Sequence, residues 1–185
     1  MRSLALACVF LLIAATTVPA LAAFTITSSS IQDGVLADKA YGNNTNDAQG
    51  NSCGGQGISP ALSWSGAPAN AQSYAITMFD PEGRGGLGVS HWVLYNIPGS
   101  VTTLARGDGS GPNAKYTPGK NTANGLGYRG PCPPAVDNPH HYTIIVYALD
   151  LPPTLPAGLD RDELFKAIAG HTIGSATGIV MKYGR

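Results

Sequence analysis

Three of the four histidines stand where strand-like segments meet loops rich in proline and glycine. Asp80 ends one such segment, His91 opens the next, and His140 opens a third. If these segments are neighbours in one sheet, the three side chains converge at a pocket where strands end. A carboxylate fixes the tautomer of an imidazole, and imidazole and tyrosine donors bind anions. The pattern therefore predicts a pocket for a phosphate, phosphonate or carboxylate group.

Other kinds of chemistry find little support. A single histidine is more often a structural residue than a ligand, so only the group with Asp80 indicates a site. The sequence contains no P-loop, CxxC or HExxH motif and no GxSxG nucleophile elbow between a strand and a helix, so we expect no catalytic residues, no metal and no cofactor. Ser90 precedes His91, but neighbours on a strand point to opposite faces.

The composition excludes several classes of protein. The 185 residues include 11 Lys+Arg and 11 Asp+Glu, with no basic stripe, so nucleic-acid binding through phosphate contacts is not expected. A hydrophobic share of 43% argues against a disordered chain. The length suits one domain with a substantial core.

The first 22 residues have the pattern of a secretory signal peptide. Arg2 precedes an apolar stretch at 4–13, and a small-x-small cleavage sequence ends at Ala22. We therefore predict a signal peptide over 1–22 and one domain over 23–185, secreted or periplasmic and without stable membrane insertion. An uncleaved membrane anchor is the alternative.

Removing the signal peptide removes Cys8 and leaves two cysteines, Cys53 and Cys132. In an oxidising compartment this pair predicts one disulfide, the alternative being two free buried thiols. The sequence Asn43-Asn44-Thr45 is a glycosylation sequon that matters only if the source is a eukaryote.

Short apolar segments separated by turn signals predict an all-β sandwich or barrel. Near-continuous apolar stretches suggest central strands buried on both faces. The polar stretches 38–56 and 106–127 are expected to be long loops. The predicted strands are 24–27, 61–64, 73–79, 91–97, 142–149 and 176–183.

One segment near the C-terminus predicts a helix. Asp160 is a suitable N-cap, Glu163 completes a capping box, and Gly170 offers a left-handed C-cap. We expect this helix to cover one end of the sandwich.

Five blocks of sequence, in order, resemble the phosphatidylethanolamine-binding protein family, and its bacterial branch, often called Raf-kinase-inhibitor-like, is the most similar. They are GISPALSWSGAP at 57–68, Asp80-Pro81-Glu82, HWVLYNIP at 91–98, GPCPP at 130–134 and His140-His141-Tyr142. The resemblance implies a mainly β fold: an antiparallel β-sandwich with a large central sheet, a smaller sheet and a C-terminal helix. It also implies a pocket for phosphate or phosphoethanolamine-like groups.

The resemblance assigns ligand contacts to six positions. Asp80 would orient and polarise the site, and His91, His140 and Tyr142 would line it and donate hydrogen bonds. Gly130 and Pro131 would shape its rim. Two departures from the family pattern bear on the ligand: Glu82-Gly83-Arg84 follows Asp80-Pro81, and His141 stands where an arginine is usual.

The predicted function is therefore that of an exported, non-enzymatic protein that binds a small anionic or phosphorylated ligand. The alternative is an inhibitor of a secreted protease or of another protein partner, with the 82–90 loop as the contact. A phosphoester hydrolase using His91 and Asp80 is a third, weaker hypothesis.

Overall fold

The computed structural model describes residues 23–36, 38–47, 49–174 and 178–183. The predicted signal peptide, residues 1–22, lies outside the described residues. Within the described part, no helix is long and apolar enough to cross a membrane.

Eleven strands and four short helical segments are formed by the described residues. The strands are β1 (Thr25–Thr27), β2 (Ile31–Gln32), β3 (Val35–Leu36), β4 (Leu62–Ser65), β5 (Ser73–Asp80), β6 (Val89–Pro98), β7 (Thr103–Leu104), β8 (Thr117–Pro118), β9 (His140–Leu149), β10 (Thr172–Gly174) and β11 (Ile179–Tyr183). The helical segments are a 3₁₀ turn at Lys39–Tyr41, a turn α1 (Gly83–Gly86), a 3₁₀ turn at Gly111–Asn113, and the helix α2 (Arg161–Ala167).

The strands form two sheets, which confirms the predicted fold class. Among the described residues, the larger sheet has eight strands in the order β2-β3-β11-β9-β5-β6-β8, with β10 also paired to β9. The smaller sheet has the order β1-β4-β7. The pairing is antiparallel except between β3 and β11, which run parallel. The large sheet is therefore mixed rather than purely antiparallel as expected.

The central strands β5 and β6 are buried on both faces, as their apolar sequences predict. On β5, Tyr74, Ile76 and Met78 face the core between the two sheets. Ala75 faces the opposite side, where it joins a second apolar cluster. We call these the inner and outer faces of the large sheet.

Helix α2 accounts for that second cluster. Asp160 and Glu163 form the predicted capping box, in which each side chain accepts a hydrogen bond from the other residue's backbone N–H. Leu164 and Ile168 are buried against Ala75 and its neighbours on the outer face. The expectation that the helix covers an end of the sandwich is wrong, because its apolar stripe matches the outer face of β5, β6 and β9.

The long polar loops are tied together near the ends of β5, β6 and β9. A disulfide joins Cys53 to Cys132, as predicted, and so links loop 38–56 to the segment 130–134. Asn43 in the same loop is buried, and its side-chain amide donates to the Thr45 hydroxyl at 2.7 Å. A glycosylating enzyme therefore cannot reach Asn43 once the protein has folded.

Candidate functional site

A β-bulge directs His91 toward the site. Phe79 pairs with Ser90 and Met78 pairs with Trp92, so His91 has no partner on β5. The extra residue shifts the alternation of β6, which is how bulges re-aim side chains. As a result Ser90 shares the outer face with Phe79, while His91 turns to the inner side, toward Asp80.

Asp80 is the centre of a hydrogen-bond network at the end of β5. Its side chain is 4% exposed. Oδ1 accepts hydrogen bonds from the backbone N–H groups of Glu82 and Gly83, both at 2.9 Å. Oδ2 accepts one from Nδ1 of His140 at 2.8 Å. The carboxylate thus fixes both the turn after β5 and the ring of His140.

These contacts favour the ionised form of Asp80. Burial alone would raise the pKa of its carboxyl group, but the nearby rings of His91 and His140 and the Gly83 N–H outweigh burial and lower that pKa. The residue therefore stays ionised well below neutral pH, as an orienting group must.

His91 is held by the backbone of the facing loop. Its ring Nδ1 donates to the carbonyl oxygen of Arg129 at 2.9 Å, and the Arg129 N–H donates back to the His91 carbonyl at 2.7 Å. Because a carbonyl can only accept, the hydrogen is on Nδ1. Nε2 lies 3.9 Å from Asp80 Oδ2, too far for a hydrogen bond, and is left for another group.

Tyr142 supplies an unpaired hydroxyl. Its side chain is 0% exposed, and its hydroxyl has no hydrogen-bond partner among the described residues. Its ring contacts those of His91 and His140, at centroid distances of 5.2 and 6.5 Å. Burial, followed by the charges of Asp80 and Glu82, raises the pKa of this phenol, so the hydroxyl keeps its proton and remains a donor.

The opposite wall is made by segment 130–134. Gly130 is a glycine because a Cβ there would overlap the backbone of Gly42 and Asn43. The Pro131 carbonyl accepts a hydrogen bond from the Asn43 N–H at 2.9 Å. The disulfide at Cys132 adds a covalent link to the same loop.

These groups surround one cavity of about 620 Å³, which we call the inner cavity. Of the six predicted ligand contacts, five line it: Asp80, His91, Gly130, His140 and Tyr142. Pro131 does not line it and instead supports the wall from behind. Their roles in binding remain predictions.

The inner cavity has further charged groups, of which the sequence indicated only Glu82 and Arg84, as departures from the family pattern. Arg84 and Arg129 line it, and so do the carboxylates of Glu82, Asp137 and Asp47. Two arginines from different loops thus bring positive charge to the cavity, even though His141 stands where the family usually has an arginine. The lining therefore carries more charge of both signs than the predicted set, in which Asp80 is the one ionised group.

The two departures from the family pattern meet at the mouth of the cavity. Glu82 accepts hydrogen bonds from the His141 backbone N–H at 2.8 Å and from its ring Nδ1 at 2.6 Å. Although burial would raise the pKa of Glu82, these two bonds outweigh it and lower that pKa. The pair fastens the turn after β5 to the start of β9.

A metal ion is not favoured by this arrangement. Ligand atoms of Asp80, Glu82 and His140 lie within 4.8 Å of one another. However, the Asp80 and Glu82 carboxylates already accept hydrogen bonds from His140 and His141, which an ion would have to displace. The fourth histidine, His171, lies elsewhere and bonds to Asp150 at 2.9 Å.

Comparison with known proteins gives a consistent picture. A family model described as "Phosphatidylethanolamine-binding protein" matches residues 27–183. The chain is 39% identical over 129 residues to a UPF0098 protein of Methanothermobacter thermautotrophicus, covering 67% of this chain and 82% of that protein. It is 35% identical over 164 residues to a protein of Mycobacterium tuberculosis named "Putative lipoprotein LppC", covering 88% of this chain and 74% of that protein.

A solved structure is also similar. The crystal structure of Escherichia coli YbcL, described as a member of the mammalian PEBP family, superposes with a TM-score of 0.75 at 30% identity. The match covers 89% of this chain and 99% of YbcL. In sequence, YbcL is 38% identical over 132 residues, which is 69% of each protein.

Proposed function

Because the chain belongs to the phosphatidylethanolamine-binding protein family, we propose that it is an exported binding protein that holds a small phosphorylated ligand in the inner cavity. The ligand class is a phosphate or phosphoethanolamine-like group. The protein binds this group without transforming it.

The observation that carries the proposal is the unpaired hydroxyl of Tyr142 beside His91. A buried hydroxyl without a partner costs about 1–3 kcal/mol, so it calls for a ligand that accepts its hydrogen bond. The raised pKa keeps this group a donor. A phosphate oxygen supplies the acceptor, and protonation of His91 Nε2 would give a second donor next to it.

The carboxylates at the mouth favour a zwitterionic ligand over inorganic phosphate. Glu82 and Asp137 line the same cavity as the arginines Arg84 and Arg129. A ligand with a phosphate at one end and an ammonium at the other satisfies both signs of charge. Phosphoethanolamine has this pattern, so we expect it to bind more tightly than phosphate alone.

Binding without catalysis is supported by the state of the potential nucleophiles. Ser90 faces the outer side of the sheet, with Phe79, away from the inner cavity. Cys132 is in a disulfide. The raised pKa of Tyr142 makes its phenolate inaccessible near neutral pH.

Export to a secreted or periplasmic location is supported by three observations. Residues 1–22 have the pattern of a signal peptide. The Cys53–Cys132 disulfide is typical of an oxidising compartment. The mycobacterial relative named as a lipoprotein fits the same location.

A second candidate function, inhibition of a secreted protease or of another protein, is favoured by the apolar side chains near the cavity. Leu87, in the loop between β5 and β6, is 78% exposed. Val136, in the loop before β9, is 93% exposed. Both loops supply lining residues of the inner cavity, so a partner docking on them would cover it.

Calorimetric titration of the mature protein with phosphoethanolamine tests the proposed binding. Tyr142→Phe removes only the hydroxyl and should weaken binding roughly tenfold. Tyr147→Phe is the matched control, because Tyr147 lies on the outer side of β9 near Thr77, and it should bind like the wild type. No binding by the wild type, or equal affinity of Tyr142→Phe, would overturn the proposal.

Activity assays of further variants test the two alternative functions, hydrolysis and protease inhibition. Release of phosphate from a chromogenic phosphoester, lost in His91→Ala, would support a hydrolase. Inhibition of a secreted protease that disappears when Leu87 and Val136 are replaced by serine would support the inhibitor function.

A further inference from the structure

A second cavity lies on the outer face of the large sheet, behind the end of β6. It has a volume of about 360 Å³, and we call it the outer cavity. Phe79 and Ser90 form its floor, the start of α2 forms one wall with Arg161, and loop 120–124 forms another with Lys120. The β-bulge at His91 shifts the alternation of β6, so that Ser90 faces the outer cavity and His91 faces the inner one.

Two residues that line the outer cavity carry buried polar atoms with no hydrogen-bond partner in the described part of the chain. Ser90 is 8% exposed, and its hydroxyl has no hydrogen-bond partner among the described residues. Its pairing with Phe79 directs it to the outer face, where the cavity lies. Nε of Arg161 is also buried and unpaired within the described part of the chain. Unsatisfied buried groups of this kind call for an explanation such as an absent ligand or water.

Aromatic rings hold Arg161 in place. Its guanidinium carbon lies 4.4 Å from the ring centre of Phe79 and 4.5 Å from that of Phe165. A guanidinium stacked between two rings keeps its edge free for hydrogen bonds in the ring plane. The cation is therefore fixed at the wall before any ligand arrives.

The charges of the outer cavity favour an anion. Arg84, Lys120 and Arg161 bring three positive charges. Of the two carboxylates, Asp160 caps α2 through the Glu163 N–H, and Asp162 lies 3.7 Å from Arg161. Lys120 has no ion pair among the described residues, so its charge is available to a ligand.

We propose that the outer cavity is a second binding site, which takes a small oxyanion, a carboxylate or a phosphate monoester. The ligand accepts hydrogen bonds from the Ser90 hydroxyl and the Arg161 guanidinium, and Lys120 closes over it. This site does not depend on the function proposed for the inner cavity, although Arg84 and Thr122 line both.

Amide NMR spectra at constant ionic strength test the proposal, with acetate and methyl phosphate as separate probes. The amide signals of Lys120, Asn124 and Arg161 report on the outer cavity, and those of Gly130 and His140 report on the inner one. We expect saturable shifts of the first group, with a dissociation constant of its own. If only one of the two probes gives saturable shifts, that probe identifies the class of oxyanion that binds. If only the inner-cavity signals, those of Gly130 and His140, shift, the proposed second site is wrong.

Two variants separate a built site from charge screening. Lys120→Ala should weaken the outer-cavity titration about threefold, and Ser90→Ala should weaken it about fivefold. Lys115→Ala is the control, because that lysine pairs with Asp108 at 3.8 Å outside the cavity. Shifts that rise linearly with concentration, an equal effect of Lys115→Ala, or unchanged affinity of Ser90→Ala would overturn the proposal.

Discussion

The two cavities flank the same end of β6 but are built by different means. The inner cavity is fixed by main-chain contacts: backbone N–H groups hold Asp80, the Arg129 backbone holds His91, and a disulfide ties the wall. The outer cavity is lined by longer side chains from a helix and two loops, such as Lys120 and Arg161. Preorganised contacts of the first kind give affinity and selectivity. In the outer cavity two aromatic rings hold Arg161 in place, whereas the long side chain of Lys120 adapts to different ligands.

This difference predicts that the largest effects come from removing the disulfide or the hydrogen bonds that hold the walls of the inner cavity. Replacing Cys53 and Cys132 by alanine removes a cross-link between residues 79 positions apart. The free energy of unfolding should fall by about 4 kcal/mol in the chain-entropy model. Urea denaturation of the variant and of the wild type, with and without reductant, measures this loss. If the reductant also lowers the unfolding free energy of the variant, which lacks both cysteines, the loss does not come from the disulfide.

Removing the central carboxylate should have the next largest effect. Asp80→Ala leaves the His140 ring and the Glu82 and Gly83 N–H groups without their acceptor. We expect a loss of about 3 kcal/mol of stability and loss of phosphoethanolamine binding. Asp162→Ala in the outer cavity is the control, with a change below about 0.5 kcal/mol. Equal losses in the two variants would contradict the contrast between the cavities.

The pH dependence sharpens the same contrast. The pKa of Asp80 is lowered in the folded protein from its ordinary value of 3.8. Its contribution to stability is therefore complete above that ordinary value and is lost as the pH falls through the folded pKa. The difference in unfolding free energy between the wild type and Asp80→Asn should shrink below about pH 4. A constant difference down to pH 2 would show that the charge is not involved.

The smallest effect is expected at the mouth of the inner cavity. Glu82 and His141 are both more than a third exposed. Glu82→Gln should therefore change the unfolding free energy by less than about 0.5 kcal/mol. It should still reduce the preference for phosphoethanolamine over phosphate, because it removes a carboxylate that faces the ammonium. Equal preference in both proteins, measured by calorimetry, would remove Glu82 from the ligand contacts.

The sequence predicted the elements that depend on local patterns. Alternating apolar residues indicated β5, and the capping box of Asp160 and Glu163 indicated α2. The strand pattern placed Asp80, His91 and His140 at strand ends, and the resemblance assigned them to the ligand site. Each of these features depends on residues that are close together in the sequence, or on a fold shared with known proteins.

The features that the sequence did not predict depend on contacts between distant segments. The bulge at His91 is visible only in the pairing of β5 with β6. Arg84 and Arg129 reach the inner cavity from loops whose paths no periodicity encodes. The apolar stripe of α2 does not by itself show which surface the helix covers, and so the predicted position at an end of the sandwich is wrong.

The central claim is that the inner cavity holds a phosphorylated group through Tyr142 and His91. A crystal structure of the protein with phosphoethanolamine tests it most directly. The account predicts a phosphate oxygen within hydrogen-bond distance of both the Tyr142 hydroxyl and Nε2 of His91, with the ammonium near Glu82 or Asp137. A ligand bound elsewhere, with only water at Tyr142, would contradict it.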